Sequence, residues 1–133
     1  MQTLSVKTGQ RDEMLDITRQ VAALLPSLGL VNGVVHVFCP HTTGAVTINE
    51  ACDPDVASDM LYYLDKLVRH DDPGFRHAEG NSAAHIKTSL IGPGVFVPVE
   101  GGKLCLGTWQ GIFFCEFDGP RNRNILVQAL PGK

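Results

Sequence analysis

Ile112-Phe113-Phe114-Cys115-Glu116-Phe117-Asp118 alternates in the manner of a β-strand. Successive side chains of a strand point to opposite faces, so Phe113, Cys115 and Phe117 share one face. Ile112, Phe114, Glu116 and Asp118 share the other, which turns acidic toward its end. Working outward, Val95 to Val99 and Lys103 to Thr108 flank Glu100-Gly101-Gly102, a hairpin signal, and Ile125 to Leu130 continues the sheet. Upstream, residues 3–8 alternate as a first strand ended by Gly9. Gly33 to Cys39 and Ala45 to Asn49 form two more β-rich runs.

Helical spacing appears in three places. Asp16 can cap a helix that sets Ile17, Val21, Leu24, Leu25 and Leu28 on one face, with Pro26 near its end and Gly29 closing it. Asp53-Pro54 pairs an N-cap with proline at the first helical position, ahead of an apolar stripe of Val56, Met60, Tyr63, Leu64 and Leu67. Arg69 to Asn81 reads as a long polar loop. Ser82 to Leu90 reads as a short helix, with a strand as the alternative, stopped by Gly92-Pro93-Gly94. With no repeat, low-complexity segment or linker, residues 1–133 are expected to form a single α+β domain.

Composition narrows the function. Hydrophobic residues make up 44% and charged residues 19% of the chain, which fits a globular protein. A formal charge of -3 implies no basic surface, so no nucleic-acid partner is expected. No apolar run reaches the roughly 20 residues that cross a bilayer, and the first residues lack a signal peptide's apolar stretch. A cytoplasmic protein with no membrane partner is expected. Cys39, Cys52, Cys105 and Cys115 are too widely spaced for a thiolate zinc knuckle. Cys105 and Cys115 could face each other across a hairpin, but free thiols are expected in a reducing compartment.

Ionisable and polar residues gather in three stretches, each at the end of an expected element. The first runs from His41-Thr42-Thr43-Gly44 to Asn49-Glu50 and Asp53-Pro54-Asp55. The second is His77-Ala78-Glu79-Gly80-Asn81-Ser82, reaching His85 and Lys87. The third contains Trp109-Gln110 and Glu116 to Arg123. Neutral imidazoles ligate divalent metals, and His41, His77 and His85 can converge, although their spacing does not force them to. His36, inside a strand, and His70, in a charged loop, read as ordinary hydrogen-bonded or surface residues.

Asp53 and Asp55 are explained by helix capping and the helix dipole. Glu50 and Asp118 have no such role and are the candidate catalytic carboxylates. Lys87, Arg121 and Arg123 are candidate phosphate contacts, Trp109 a candidate pocket wall, and Asn49 and Asn81 further candidate substrate contacts.

Longer motifs then add to the spacing. His41-Thr42-Thr43, Thr47-Ile48-Asn49-Glu50, Asp53-Pro54-Asp55-Val56, Glu79 to Lys87, Leu106 to Gln110 and Glu116 to Arg121 occur in that order around His77. In these the chain resembles the YjbQ family, also called the secondary thiamine-phosphate synthase family, over nearly its whole length. The order Gly44-Ala45 and Cys52 before Asp53 depart from the expected pattern without removing a candidate residue. The resemblance implies a β-sandwich-like α+β fold with two or three helices packed on it. It also implies a homotrimer with sites near subunit boundaries, and His41, His77 and His85 match the family's histidine motif positions.

The activity it implies is a weak joining of a pyrimidine pyrophosphate to a thiazole phosphate. Imidazole ligands favour zinc over magnesium, the usual pyrophosphate partner, which points toward a different native reaction. Two alternatives follow. One is metal-dependent hydrolysis of a small phosphorylated or carboxylated metabolite with Glu50 as base; the other is a non-catalytic trimer that binds a small anion or metal.

Overall fold

The computed structural model describes residues 1–133. Five strands form one antiparallel sheet in the order β1 (Gln2–Lys7), β8 (Asn122–Pro131), β3 (Gly33–Phe38), β5 (Gly94–Glu100) and β6 (Lys103–Leu104). Three strands form a second sheet in the order β2 (Glu13–Asp16), β7 (Gln110–Glu116) and β4 (Gly44–Glu50). Three helices complete the α+β fold: α1 (Thr18–Leu24), α2 (Pro54–Leu67) and α3 (Ser82–Ile91).

The parity of β7 explains how the layers stack. Ile112 and Phe114 are fully buried with Val46 against Val35, Val37, Val97, Ile125 and Val127 of the larger sheet. Phe113 and Cys115 face the other way and pack with Phe117, Ala45 and Ala84 beneath Leu61, Leu64 and Ile91. β7 is thus covered on both faces, by the larger sheet and by α2 and α3. Burial of one such phenylalanine contributes about 1.5–3 kcal/mol.

Ile17, Val21 and Leu25 are buried as the helical spacing predicts, and Leu24 and Leu28 pack at the edge of the same cluster. The α-helix itself stops at Leu24, and Gly29, at φ +66°, ends the turns that follow. Asp16 sits in β2, and its Oδ1 accepts from both the backbone N–H and the hydroxyl of Thr18. β2 is absent from the sequence reading because four residues at a sheet edge give little alternation to detect.

Two expectations need correction. The strand expected over Lys103 to Thr108 ends at Leu104, because the Gln110 side chain caps the Gly107 N–H and turns the chain. Cys105 is therefore an exposed free thiol rather than a partner for the buried Cys115. The α2 stripe is also offset. Leu61 and Leu64 face the sheet, whereas Tyr63 and Leu67 are each 62% exposed.

No helix is long and apolar enough to cross a membrane.

Candidate functional site

The turn after β7 carries the first part of the site. Glu116 is completely buried, and Arg123, one turn later at the start of β8, is 3% exposed. Arg123 Nε donates to Glu116 Oε1 at 2.9 Å and its terminal nitrogen donates to Oε2. That nitrogen also donates to Thr43 Oγ1 at 2.8 Å, which ties in the loop bearing His41. Thr8 donates to Glu116 Oε1 at 2.9 Å and accepts the Arg121 N–H, and the Asp118 N–H donates to Glu116 Oε2.

A buried ion pair with its remaining lone pairs satisfied fixes geometry more surely than it adds stability. It holds the β3–β4 and β7–β8 connections together. Gly119 belongs to the same arrangement, since a Cβ there would lie 2.2 Å from the Gln10 carbonyl oxygen. Gly44 is required for a similar reason. A Cβ would come within 2.8 Å of Phe114 Cζ, so the Gly44-Ala45 order suits this core.

Above this base opens a cleft of about 480 Å³ with no hydrophobic residue in its lining. The β3–β4 loop contributes His41, Thr42 and Thr43; the segment leading into α3 contributes His77, Glu79, Asn81 and His85; the β7–β8 turn contributes Asp118, Arg121 and Arg123. The three histidines singled out by sequence therefore share one cleft. The rings of His77 and His85 meet edge to face with centroids 5.4 Å apart. His77 Nε2 lies 4.0 Å from a Glu79 carboxylate oxygen.

His41 Nε2 lies 3.1 Å from both the backbone N and O of Asn124, accepting from one or donating to the other according to its tautomer. Burial, followed by the nearby Arg123 charge, lowers its pKa, which keeps the ring neutral. In the conformation seen, no group of three His, Cys, Asp or Glu side chains is drawn into metal-holding geometry.

Asp118 and Arg121 face each other across the rim. Arg121 donates to the Asp118 carbonyl oxygen and to Oδ2, each at 2.9 Å, and Asn81 Nδ2 donates to the same Oδ2 at 2.8 Å. The candidate contacts Asn81, Arg121 and Arg123 thus line the cleft, Arg123 also serving as its ion-paired foundation.

Four expected site residues lie elsewhere. Lys87 is 2% exposed and donates to Asp12 at 2.6 Å and Asp65 at 3.1 Å, stitching α3 to α2 and the β1–β2 loop. The helical period turns it away from His85, two positions earlier. Asn49 and Glu50 close β4 at the end opposite Gly44, about 20 Å along a strand of this length. Trp109 is 60% exposed beside them, its carbonyl oxygen accepting the Ala51 N–H. Glu50 instead lines a second groove beneath the start of α2. Glu50 is therefore not the base for chemistry in the histidine cleft of the same chain.

Sequence reasoning missed Thr8 and read Glu116 only as one of several carboxylates able to act as a general base or metal ligand, whereas it is buried and paired with Arg123. The signal for Glu116 was present: a carboxylate on the buried face of an apolar strand requires a partner. His36 and His70 are ordinary, the first stacked on Phe96 with centroids 4.2 Å apart and the second exposed.

These features define a class: a small α+β sandwich whose polar, histidine-lined cleft is built from loops at one end of the smaller sheet. The family profile described as UPF0047 protein YjbQ-like matches residues 2–132, and the chain belongs to that family. It is 51% identical over 130 residues to the UPF0047 protein YugU of Bacillus subtilis, covering 98% of each chain. An UPF0047 protein of Methanocaldococcus jannaschii is 43% identical over 128 residues, covering 96% of this chain and 92% of the relative. Among solved structures, a YjbQ/UPF0047 family protein from Clostridium acetobutylicum superposes with a TM-score of 0.94 at 48% identity, covering 98% of this chain and all of that one.

Proposed function

We propose that this chain is a metal-dependent enzyme acting on a small phosphorylated or otherwise anionic metabolite. The convergence of His41, His77, His85 and Arg121 in one cleft, lined by polar residues apart from Pro40, carries this reading. The donor set fits a divalent transition metal: His41, His77 and His85 would hold it, and imidazole favours zinc over magnesium. When bound, such an ion supplies a Lewis acid that neutralises charge on phosphate or carboxylate oxygens. Arg121 offers the ligand a guanidinium, and Asn81, held by Asp118, fixes the rim around it. Of the two candidate carboxylates, Asp118 alone stands in the cleft. Joining the pyrimidine pyrophosphate and thiazole phosphate halves of thiamine phosphate is proposed as a weak activity of this site, separate from its native reaction.

A second reading is a non-catalytic binder of a small anion or metal. It is favoured by the engagement of Asp118 Oδ2 with both Asn81 and Arg121, which weakens that carboxylate as a base.

Self-assembly as a homotrimer belongs to the same proposal. The outer face of the larger sheet carries no helix and presents Phe96, 62% exposed, and Leu130, 46% exposed, around His36 and Phe38. Asn124, whose backbone meets His41, lies on β8 of that sheet, so the cleft borders the proposed interface.

The test of the metal is elemental analysis of protein prepared without chelator. Metal is expected in the parent and should fall sharply in His77→Ala. Equal content in both would remove the histidine site.

A further inference from the structure

The cleft contains two arginines and no lysine, and the more exposed of the two is Arg121. Arg123 is 3% exposed, with Nε and a terminal nitrogen committed to Glu116 and Thr43. The Arg121 side chain is 48% exposed, but its charge already faces Asp118, whose side chain is 25% exposed. The ligand-free cleft therefore has its most exposed guanidinium matched by an internal carboxylate. Glu79 adds a further negative charge at the rim.

An incoming anion meets Asp118 before it gains the full field of Arg121. Like charges around one cation compete, and neutralising the internal one strengthens the bond to the external one.

We infer that Asp118 is an internal competitor that occupies Arg121 and sets the anion affinity of the cleft, and that the ligand presents one anionic group, a phosphate monoester or a carboxylate, to Arg121. The inference rests on the proposed reading that this cleft binds an anion, and it gives Asp118 a specificity role in place of a general base's. Asn81 assists the competitor, because its bond to Oδ2 keeps the carboxylate aimed at Arg121.

Calorimetry with inorganic phosphate tests this on the parent, Asp118→Asn, Arg121→Ala and the double variant, each chelator-treated and zinc-loaded. Asp118→Asn should bind phosphate about two- to fivefold more tightly than the parent, the scale of one exposed ion pair. Arg121→Ala should lose most binding, and the double variant should lose the gain. If phosphate binds the parent and Asp118→Asn binds it equally or more weakly, the competitor role is overturned while the anion site stands. If phosphate binds none of the proteins, the inference and the anion site fall together.

A second measurement needs no variant at position 118. In the nitrogen-15 spectrum of the parent, the Arg121 Nε–H signal, assigned from its loss in Arg121→Lys, should move on phosphate titration while that of Arg123 stays. Movement of the Arg123 signal alone, or of neither, would overturn the assignment. The metal reading is decided separately by the metal content of His77→Ala.

Discussion

Glu116 and Arg123 show how one pair of residues holds the site. The pair is buried beneath the cleft and collects Thr8, Thr43 and the Asp118 amide around itself. Removing one partner leaves a buried charge with nothing to offset it, which costs far more than replacing both. Glu116→Gln should therefore lose about 3–5 kcal/mol in urea denaturation. The double variant Glu116→Met with Arg123→Met should lose clearly less, although Thr43 and with it His41 will be less firmly placed. A Glu116→Gln protein as stable as the parent would mean that the pair is not an uncompensated charge when broken. The sequence showed a carboxylate on the apolar strand but not its partner, because Arg123 becomes a neighbour only when β8 returns beside β3 and β1. At the residue scale, the histidines were legible from their motifs. The commitments of Arg123 and Lys87 were not, since an arginine that binds substrate and one that neutralises a buried glutamate have the same letter.

At the scale of elements, Lys87 explains why α2 and α3 stay docked although no residue of α2 is fully buried. Its ammonium joins Asp65 of α2 to Asp12 of the β1–β2 loop, and its Nζ lies 5.8 Å above the Phe117 ring. The hydrogen bond from Lys87 holds the Asp65 carboxyl below the usual carboxylate range; slight burial opposes this, and the charges of Lys87 and Arg11 reinforce it. A carboxylate with a depressed folded pKa contributes stability above its unfolded value, near 3.9, and loses it as pH falls through the folded one. The melting temperature of the parent should thus exceed that of Asp65→Asn at pH 7, and the difference should shrink on acidification below about pH 4. Because Asp65 is half exposed, the difference at neutral pH should be modest. A gap that is constant down to pH 2.5 (roughly a unit and a half below the unfolded value) would show that the ion pair is not its source. The element boundaries tell a similar story. The Asp53-Pro54 start of α2 was readable because capping is local, and Asp53 does accept the Asp55 N–H. The buried stripe of α2 was not, because its apolar residues cover more than one face and the sheet chooses among them.

Across the whole molecule, the two sheets leave one broad surface without a covering layer. Val34, His36, Phe38, Phe96 and Leu130 alternate outward on three adjacent strands, opposite the valines that build the core. Scattered apolar residues are normal on a surface, but a contiguous patch marks an interaction site. If the patch seals a homotrimer, light scattering of the parent should give three times the 14.4 kDa chain mass, and Phe96→Glu should shift it toward one. A charge buried at such an interface without a partner is strongly disfavoured. A parent mass of one chain would end the trimer proposal, and an unchanged trimer in Phe96→Glu would move the interface to another face.

While β2 went unread and the strand from Lys103 was drawn too long, the sequence by itself determined most of the strands, the start of α2 and the family. These depend on short-range patterns: alternation along β7, the Asp53-Pro54 cap, and unbroken motifs around His41, His77 and His85. Those motifs named Asn81, Asp118 and Arg121 beside the histidines, but they named Asn49, Glu50, Lys87 and Trp109 equally. Only the tertiary structure decided which charged residues face the cleft. β4 runs from Gly44 near the cleft to Glu50 at the far end, so a motif continuous in sequence is divided between two ends of the sheet. The helical period of α3 sends His85 into the cleft and Lys87 into the protein interior. The chain order is the same in both cases; the separation arises because a strand advances about 3.4 Å per residue and a helix turns about 100°.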